Sequence, residues 1–150
     1  MKLYLSLVCI GIALVIMADY AIGGQIKTDQ IVSVERERQQ YYNAARNHHY
    51  SYKLITNEDK FTVEEEFIKL NVDGKRIEYA VSPIFKEVNW YKLTSNEKKF
   101  SHSLRLFSGC VLPLLVVIAI IADLKFNRNV ELLVSVLQVL LIANLLFLIY

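Results

Sequence analysis

The sequence predicts a membrane protein with three apolar helices and one small all-β domain, an antiparallel five-stranded OB- or SH3-like barrel inserted between the first and second helices. Of the 150 residues, 54% are hydrophobic, more than the roughly 45–50% of a typical soluble domain. Residues 25–103 also hold 13 of the 17 Lys and Arg and 12 of the 15 Asp and Glu. So uneven a distribution of charged residues excludes an ordinary globular protein with a single hydrophobic core. A net charge of +2 without a basic block argues against nucleic acid as a partner.

Three apolar segments lie outside the charged region, at residues 3–23, 104–122 and 132–150. Because a helix rises about 1.5 Å per residue, about 20 residues cross a hydrocarbon core of roughly 30 Å, and all three segments are expected to span a lipid bilayer. The first is longer than the apolar region of a signal peptide and lacks a good cleavage site, so we interpret it as an uncleaved anchor. Cys9 and Cys110 fall toward opposite faces of the bilayer in antiparallel helices, too far apart for a disulfide.

Three polar side chains within these segments, Asp19, Gln138 and Asn144, are predicted to make intramembrane contacts with other helices, because an unsatisfied polar group is costly in lipid. Asp19 is near the end of its segment, where we interpret it as a carboxylate that snorkels to the interface. Pro113 predicts a kink in the second helix, and Gly109, one turn earlier, predicts a close approach by a neighbour.

Residues 25–93 show the signals of short antiparallel strands. Residues 50–56 alternate aromatic or β-branched side chains with polar ones, and residues 76–82 alternate until the chain reaches Pro83. Between them, the Asp-Gly pair at residues 73–74 predicts a tight turn. Closing so small a sheet into a barrel removes its exposed edges, which favours an OB- or SH3-like barrel.

Two stretches of this domain have an ambiguous period. Residues 30–47 fit either a strand or a helix, and we predict a long strand that turns at residues 43–49. Residues 84–93 fit either a last strand or a turn of helix. Beyond the domain, residues 94–103 are predicted to form a polar tether, and residues 123–131 a short loop between the last two helices.

No combination of residues predicts catalysis, a metal site or a cofactor. His48 and His49 point to opposite faces if they lie on a strand, and no third ligand follows at a usual spacing. Three consecutive Glu at residues 64–66 lack the alternating ligands of a calcium-binding loop. We therefore predict a protein that is not an enzyme.

The stretch that follows the strand at residues 76–82 carries more apolar side chains than one strand of a small barrel can bury on one face. We predict that part of it, Phe85 with Trp90 or Tyr91, contacts lipid headgroups or a partner protein.

The sequence GKRIEYAVSP at residues 74–83, together with the order of helices and β domain, resembles a family of bacterial membrane proteins of unknown function. The β domains of that family end in a Gly-charged-x-apolar-x-apolar strand followed by Pro. The resemblance covers residues 30–91 and the helix order, and the run SPIFKEVN at residues 82–89 is similar to small envelope proteins of the Bacteroidetes group. The resemblance implies an apolar helix, a small β domain and C-terminal apolar helices, in that order, and it implies no catalytic residues.

These features predict a bacterial inner-membrane protein whose β domain mediates protein–protein contacts, as an accessory subunit or scaffold of an envelope complex or in a homo-oligomer. An immunity protein against a membrane-active or periplasmic toxin and a small transporter or channel component are the alternatives. By the positive-inside rule, Lys125 and Arg128 place the short loop in the cytoplasm, whereas seven basic residues at the ends of the middle segment favour the reverse. Because the rule is weak for long loops, we predict a periplasmic β domain.

Overall fold

The computed structural model describes residues 2–40, 48–126 and 131–149, which form two compact units. The helical unit comprises Met1–Gly24, Ser82–Glu87 and Ser103–Tyr150, and the β unit comprises Gln25–Val81 and Val88–His102. In chain order the elements are α1 (Lys2–Ala21), β1 (Gln25–Gln40), β2 (His48–Thr56), β3 (Lys60–Val63), α2 (Glu65–Ile68), β4 (Arg76–Val81), β5 (Val88–Leu93), α3 (Ser103–Leu106), a π-helical turn (Phe107–Val111), α4 (Leu112–Phe126) and α5 (Glu131–Ile149).

Among the described residues, three stretches are long and apolar enough to cross a membrane, as the sequence predicts: Leu3–Ala21, Ser103–Lys125 and Glu131–Ile149. The helices pack through residues that recur every three or four positions on α1 and α4 and every seven positions on α5, and so share one face of each helix. This core consists of Cys9, Ala13, Ile16, Leu112, Val116, Ile120, Val134, Leu141 and Leu148. Large apolar side chains on other faces, such as Leu14, Ile118 and Val139, are exposed, so the outer surface of the helices is also apolar.

The β unit is built around β1, which changes partner along its length. Its first part, Gln25 to Gln30, pairs with β4, and its second part, from Ile31, pairs with β2. The pairing with β2 shifts register between Ile31 and Ser33, at this change of partner. Such a bulge bends the strand and increases its twist, and therefore curls the sheet.

The five strands form one antiparallel sheet in the order β3-β2-β1-β4-β5. The predicted set of five antiparallel strands is therefore confirmed. Of the two stretches with an ambiguous period, residues 30–40 are strand rather than helix, and residues 88–93 form the last strand. Residues 41–47, where most of the predicted turn falls, lie outside the described residues.

An aromatic cluster fills the concave side of the sheet. The ring centroids of Phe61 on β3 and Tyr91 on β5 are 5.8 Å apart, and the Tyr91 hydroxyl accepts a 2.8 Å hydrogen bond from the backbone N–H of Glu64. Phe67 of α2 meets Tyr91 edge to face at 4.8 Å. Because these contacts join opposite edges of the sheet, the sheet curls into a half-barrel with α2 packed on its core.

The segment predicted as a polar tether, residues 94–103, contains a core residue. Phe100 exchanges two backbone hydrogen bonds with Tyr91, of 2.8 and 2.9 Å, and its ring is buried against that of Phe67. The sequence pattern missed this contact because a single aromatic residue among polar ones has no periodicity.

Candidate functional site

The most unusual electrostatic feature of the helical unit is a buried ion pair between α1 and α3. The Arg105 guanidinium Nη2 lies 3.0 Å from Asp19 Oδ2, and the exposed fractions of the two side chains are 4% and 0%. Removing two charges from water costs several kcal/mol per ion unless each charge is paired and hydrogen-bonded. The pairing therefore accounts for how the helices accommodate these charges.

The second carboxylate oxygen of Asp19 binds the loop Ser82–Glu87, which we call the β4–β5 loop. Asp19 Oδ1 accepts a 2.7 Å hydrogen bond from the backbone N–H of Ile84. The ends of the loop are closed by two hydrogen bonds, from Ser82 N–H to the Glu87 carbonyl at 2.8 Å and from Glu87 N–H to Ser82 Oγ at 3.1 Å. One side chain thus connects three parts of the helical unit: α1, α3 and this loop.

The structure corrects the interpretation of Asp19 as a snorkelling carboxylate. Its side chain is fully buried, because Arg105 and the Ile84 N–H satisfy it inside the protein. The sequence contains a signal for this pairing, since Asp19 is near the end of one apolar segment and Arg105 is near the start of the next. Antiparallel helices bring those two ends to the same side.

A second polar contact lies at the π-helical turn. The N–H of Leu112 donates to the Phe107 carbonyl, five residues back. Pro113 is next in this register and has no N–H to donate to the Ser108 carbonyl. The side-chain amide of Asn144 on α5 donates to that carbonyl instead, at 2.9 Å, and so replaces the missing backbone donor.

Two further contacts concern positions singled out from the sequence. Gln138 is buried on α5, and its Nε2 lies 3.4 Å from Ser6 Oγ on α1. Gly109 packs so closely on Tyr20 that an added Cβ would lie 2.8 Å from the Tyr20 ring, which is the close approach predicted for this glycine. Asp19, Gln138 and Asn144 therefore all make polar contacts between parts of the helical unit, each with a different partner.

A polar cluster in the β unit connects β1, β4 and the turn between β2 and β3. Asp59 Oδ2 accepts hydrogen bonds from Lys27 Nζ and from the Tyr79 hydroxyl, both at 2.7 Å. Burial raises the pKa of Asp59, but the bonds from Lys27 and Tyr79 outweigh it and lower the pKa overall. Burial and the bond to Asp59 raise the pKa of Tyr79 to about 12.

Asp29 is a second carboxylate that holds this turn. It accepts hydrogen bonds from the Asn57 side chain at 2.8 Å and from the backbone N–H groups of Gln30 and Glu58 at 2.7 and 3.0 Å. Desolvation raises its pKa, but these bonds and one from Thr56 outweigh that effect and lower the pKa to about 2. The partners of both Asp29 and Asp59 are groups of the fold itself, so the cluster stabilises the turn.

The three predicted contact residues have different environments. Tyr91 is 1% exposed in the core of the β unit, so the prediction that it contacts headgroups or a partner is wrong. Phe85 is half-buried against the core of the helical unit. Trp90 is half-buried on the opposite face of β5 from Tyr91, with Lys99 Nζ 4.3 Å from the centre of its ring.

Trp90 belongs to an apolar row that crosses the convex face of the sheet. Directly paired residues share one face of a sheet, and the pairs Ile26 with Ala80 and Ala80 with Trp90 form such a row. Ile26 is 62% exposed. Within the described residues, no three His, Cys, Asp or Glu side chains are grouped to hold a metal ion.

Searches against protein-family models, curated proteins and solved structures find no match for this chain.

Proposed function

We propose that this chain is a bacterial inner-membrane protein whose β unit binds another protein, as an accessory subunit or scaffold of an envelope complex. The observation that carries the proposal is the apolar row on the convex face of the sheet, in which the half-buried Trp90 and the exposed Ile26 lie on either side of the buried Ala80. Tryptophan is among the residues most enriched at the centres of protein interfaces. β5 is also the last strand of the sheet, and because Phe100 already pairs with Tyr91 there, a partner would approach Trp90 from the convex face.

In this proposal the three helices act as an anchor. Their apolar outer surface suits contact with lipid. The polar side chains Asp19, Gln138 and Asn144 each bond to another part of the helical unit. Such contacts stabilise helix packing, whereas a transport pathway would need ionisable groups lining a continuous route. The internal pairing therefore favours an anchor over the transporter alternative.

For the β unit we propose an OB-like rather than an SH3-like barrel. The support is the long β1, which is shared by β2 and β4, and the short helix α2 between β3 and β4. An OB barrel is a partly open five-stranded Greek-key barrel, which agrees with the curled sheet. Small barrels of this kind commonly serve as binding modules, which is consistent with a role in protein contacts.

The partner hypothesis is tested by co-purification from mild detergent with a tagged full-length chain. We expect Trp90→Ala to lose the co-purifying partner, or the second copy in a homo-oligomer, while the thermal unfolding of the chain stays close to that of the wild type. Arg76→Ala is the matched control, because Arg76 is an exposed residue on β4. A chain that runs as a lone monomer in every preparation contradicts the proposal, and so does a Trp90→Ala chain that is unfolded.

We further propose that the β unit faces the periplasm. The support is Lys125 and Arg128, near the short connection between α4 and α5, because charges in short loops direct insertion more strongly than charges in long segments. In a Cys9→Ser/Cys110→Ser background, a cysteine introduced by Ser51→Cys should react with a membrane-impermeant thiol reagent in intact spheroplasts, and one introduced by Asn127→Cys should not. The reverse pattern would place the β unit in the cytoplasm.

A further inference from the structure

The β4–β5 loop is part of the helical unit and carries apolar side chains that the protein leaves exposed. Ile84 is 55% exposed, although its backbone N–H is held by Asp19. Pro83 beside it is also exposed, and Phe85 is only half-buried. A tip with this composition is unusual for a loop in water, where small and polar residues predominate.

The bond to Asp19 defines the depth of this loop along the helices. Asp19 lies two residues before the end of the apolar span Leu3–Ala21, and Arg105 lies two residues after the start of the span Ser103–Lys125. Two residues correspond to about 3 Å along a helix axis. Ile84, whose N–H is 2.7 Å from the Asp19 carboxylate, is therefore level with the end of both apolar spans.

The helices expose apolar side chains at the same level. Ile22 is 68% exposed just beyond α1, and Leu104 and Leu106 on α3 are 48% and 45% exposed. The loop also presents Lys86, an exposed cation in the left-handed region of backbone space, with φ of 61°. Apolar side chains with a neighbouring cation match the boundary between acyl chains and anionic headgroups.

From this geometry we infer that the β4–β5 loop is a lipid-binding element: its tip, Pro83 to Lys86, inserts into the interfacial region of the bilayer beside the ends of α1 and α3. The hydrogen bond from Ile84 N–H to Asp19 holds the tip at that depth, and the Asp19–Arg105 pair holds Asp19. The occupant of this surface is lipid, and the inference rests on the proposed insertion of the three helices into a membrane.

Tryptophan quenching by brominated lipids tests the depth of the tip. The chain has a single Trp, so a Trp90→Phe background removes the native signal. In that background, Ile84→Trp and Pro83→Trp each report the loop, Leu115→Trp reports the exposed face of α4, and Thr94→Trp reports an exposed position in the β unit. Each variant is reconstituted into vesicles of phosphatidylcholine and phosphatidylglycerol whose chains are brominated either near the ester end or near the methyl end.

We expect both loop tryptophans to lose most of their emission with bromine near the ester end and little with bromine near the methyl end. Leu115→Trp should be quenched mainly by the deeper bromine, and Thr94→Trp by neither. If both loop variants behave like Thr94→Trp while Leu115→Trp is quenched, the helices are inserted and the lipid-binding loop is refuted. If Leu115→Trp is not quenched either, the membrane proposal itself fails. Should Ile84→Trp not fold, Pro83→Trp alone decides between these outcomes.

Discussion

Replacing Asp19 with alanine should be among the most destabilising single changes in the helical unit. The substitution leaves the Arg105 guanidinium, 4% exposed, without the carboxylate 3.0 Å away, and removes the acceptor of the Ile84 N–H. Breaking a buried ion pair by removing one partner costs about 3–5 kcal/mol, and the lost bond of the part-buried Ile84 N–H adds a smaller amount. We therefore expect the free energy of unfolding to fall by at least about 3 kcal/mol.

Comparing further variants separates the charge from the hydrogen bond. Asp19→Asn keeps an oxygen that can accept from the Ile84 N–H but removes the negative charge, so it should be destabilised somewhat less than Asp19→Ala. The double variant Asp19→Leu/Arg105→Met replaces the pair with apolar groups of similar size, and such replacements are often neutral or stabilising. The double variant should therefore be more stable than Asp19→Leu alone or Arg105→Met alone, by about 2 kcal/mol or more.

The assay is equilibrium unfolding of the purified full-length chain in mixed micelles of a mild detergent and sodium dodecyl sulfate, followed by circular dichroism. Ser135→Ala is the control for a polar-to-alanine change in a helix, because Ser135 is exposed and its hydroxyl donates to the Glu131 carbonyl of its own helix. If Asp19→Ala costs no more than Ser135→Ala, or if the double variant is as unstable as Asp19→Ala, the ion pair does not stabilise the helical unit and the reasoning above is wrong.

Two other contacts lead to measurable expectations. Asn144→Leu should destabilise the helical unit by about 0.6–2 kcal/mol in the same assay. The loss should be smaller in a Pro113→Ala background, because alanine restores an N–H that can donate to the Ser108 carbonyl. An equal loss in both backgrounds would contradict the idea that the Asn144 amide replaces the backbone donor missing at Pro113. For Asp29, the pKa is about 2 in the folded chain against an ordinary 3.8, so the stability that it adds is present above pH 3.8 and is lost as the pH falls toward 2. Thermal unfolding should therefore show Asp29→Asn less stable than the wild type at neutral pH and equal to it near pH 2. A difference in stability that stays constant across this range would show that the ionisation of Asp29 does not contribute to folding.

The apolar helices and the strands were predictable because each has a local signal, whereas the short helix α2 and the π-helical turn were not predicted. A bilayer-length run of apolar residues identifies each membrane-type helix without knowledge of its neighbours, and period-2 alternation with an Asp-Gly turn identifies the strands. Residues 30–40 were harder, because Arg, Glu and Gln are good helix formers. Pairing with β2 and β4 on the two sides of β1 overrides that preference, and propensity alone does not contain this information.

The environments of individual side chains were less predictable, since they depend on contacts between residues distant in sequence. Trp90 and Tyr91 are adjacent and both aromatic, yet one lies on the convex face and the other in the core. Only the register of β5, established by its pairing with β4, distinguishes the two. The prediction of a contact surface at residues 84–93 therefore included Tyr91, which is buried in the core and cannot contact a partner.

Asp19 illustrates the same limit for a buried charge and also how far elementary physics reaches. A lone carboxylate in an apolar helix must snorkel, be neutralised or find a partner, and the sequence alone does not choose among these. Arg105 is 86 positions away, and it becomes a partner only because α1 and α3 bring their ends together. The carboxylate has a second oxygen, which the Ile84 N–H occupies, so the pair of charges also determines where the β4–β5 loop lies. Burying the Asp19 charge therefore requires contacts from two other segments at once, and these contacts connect the end of α1 to α3 and to the β4–β5 loop.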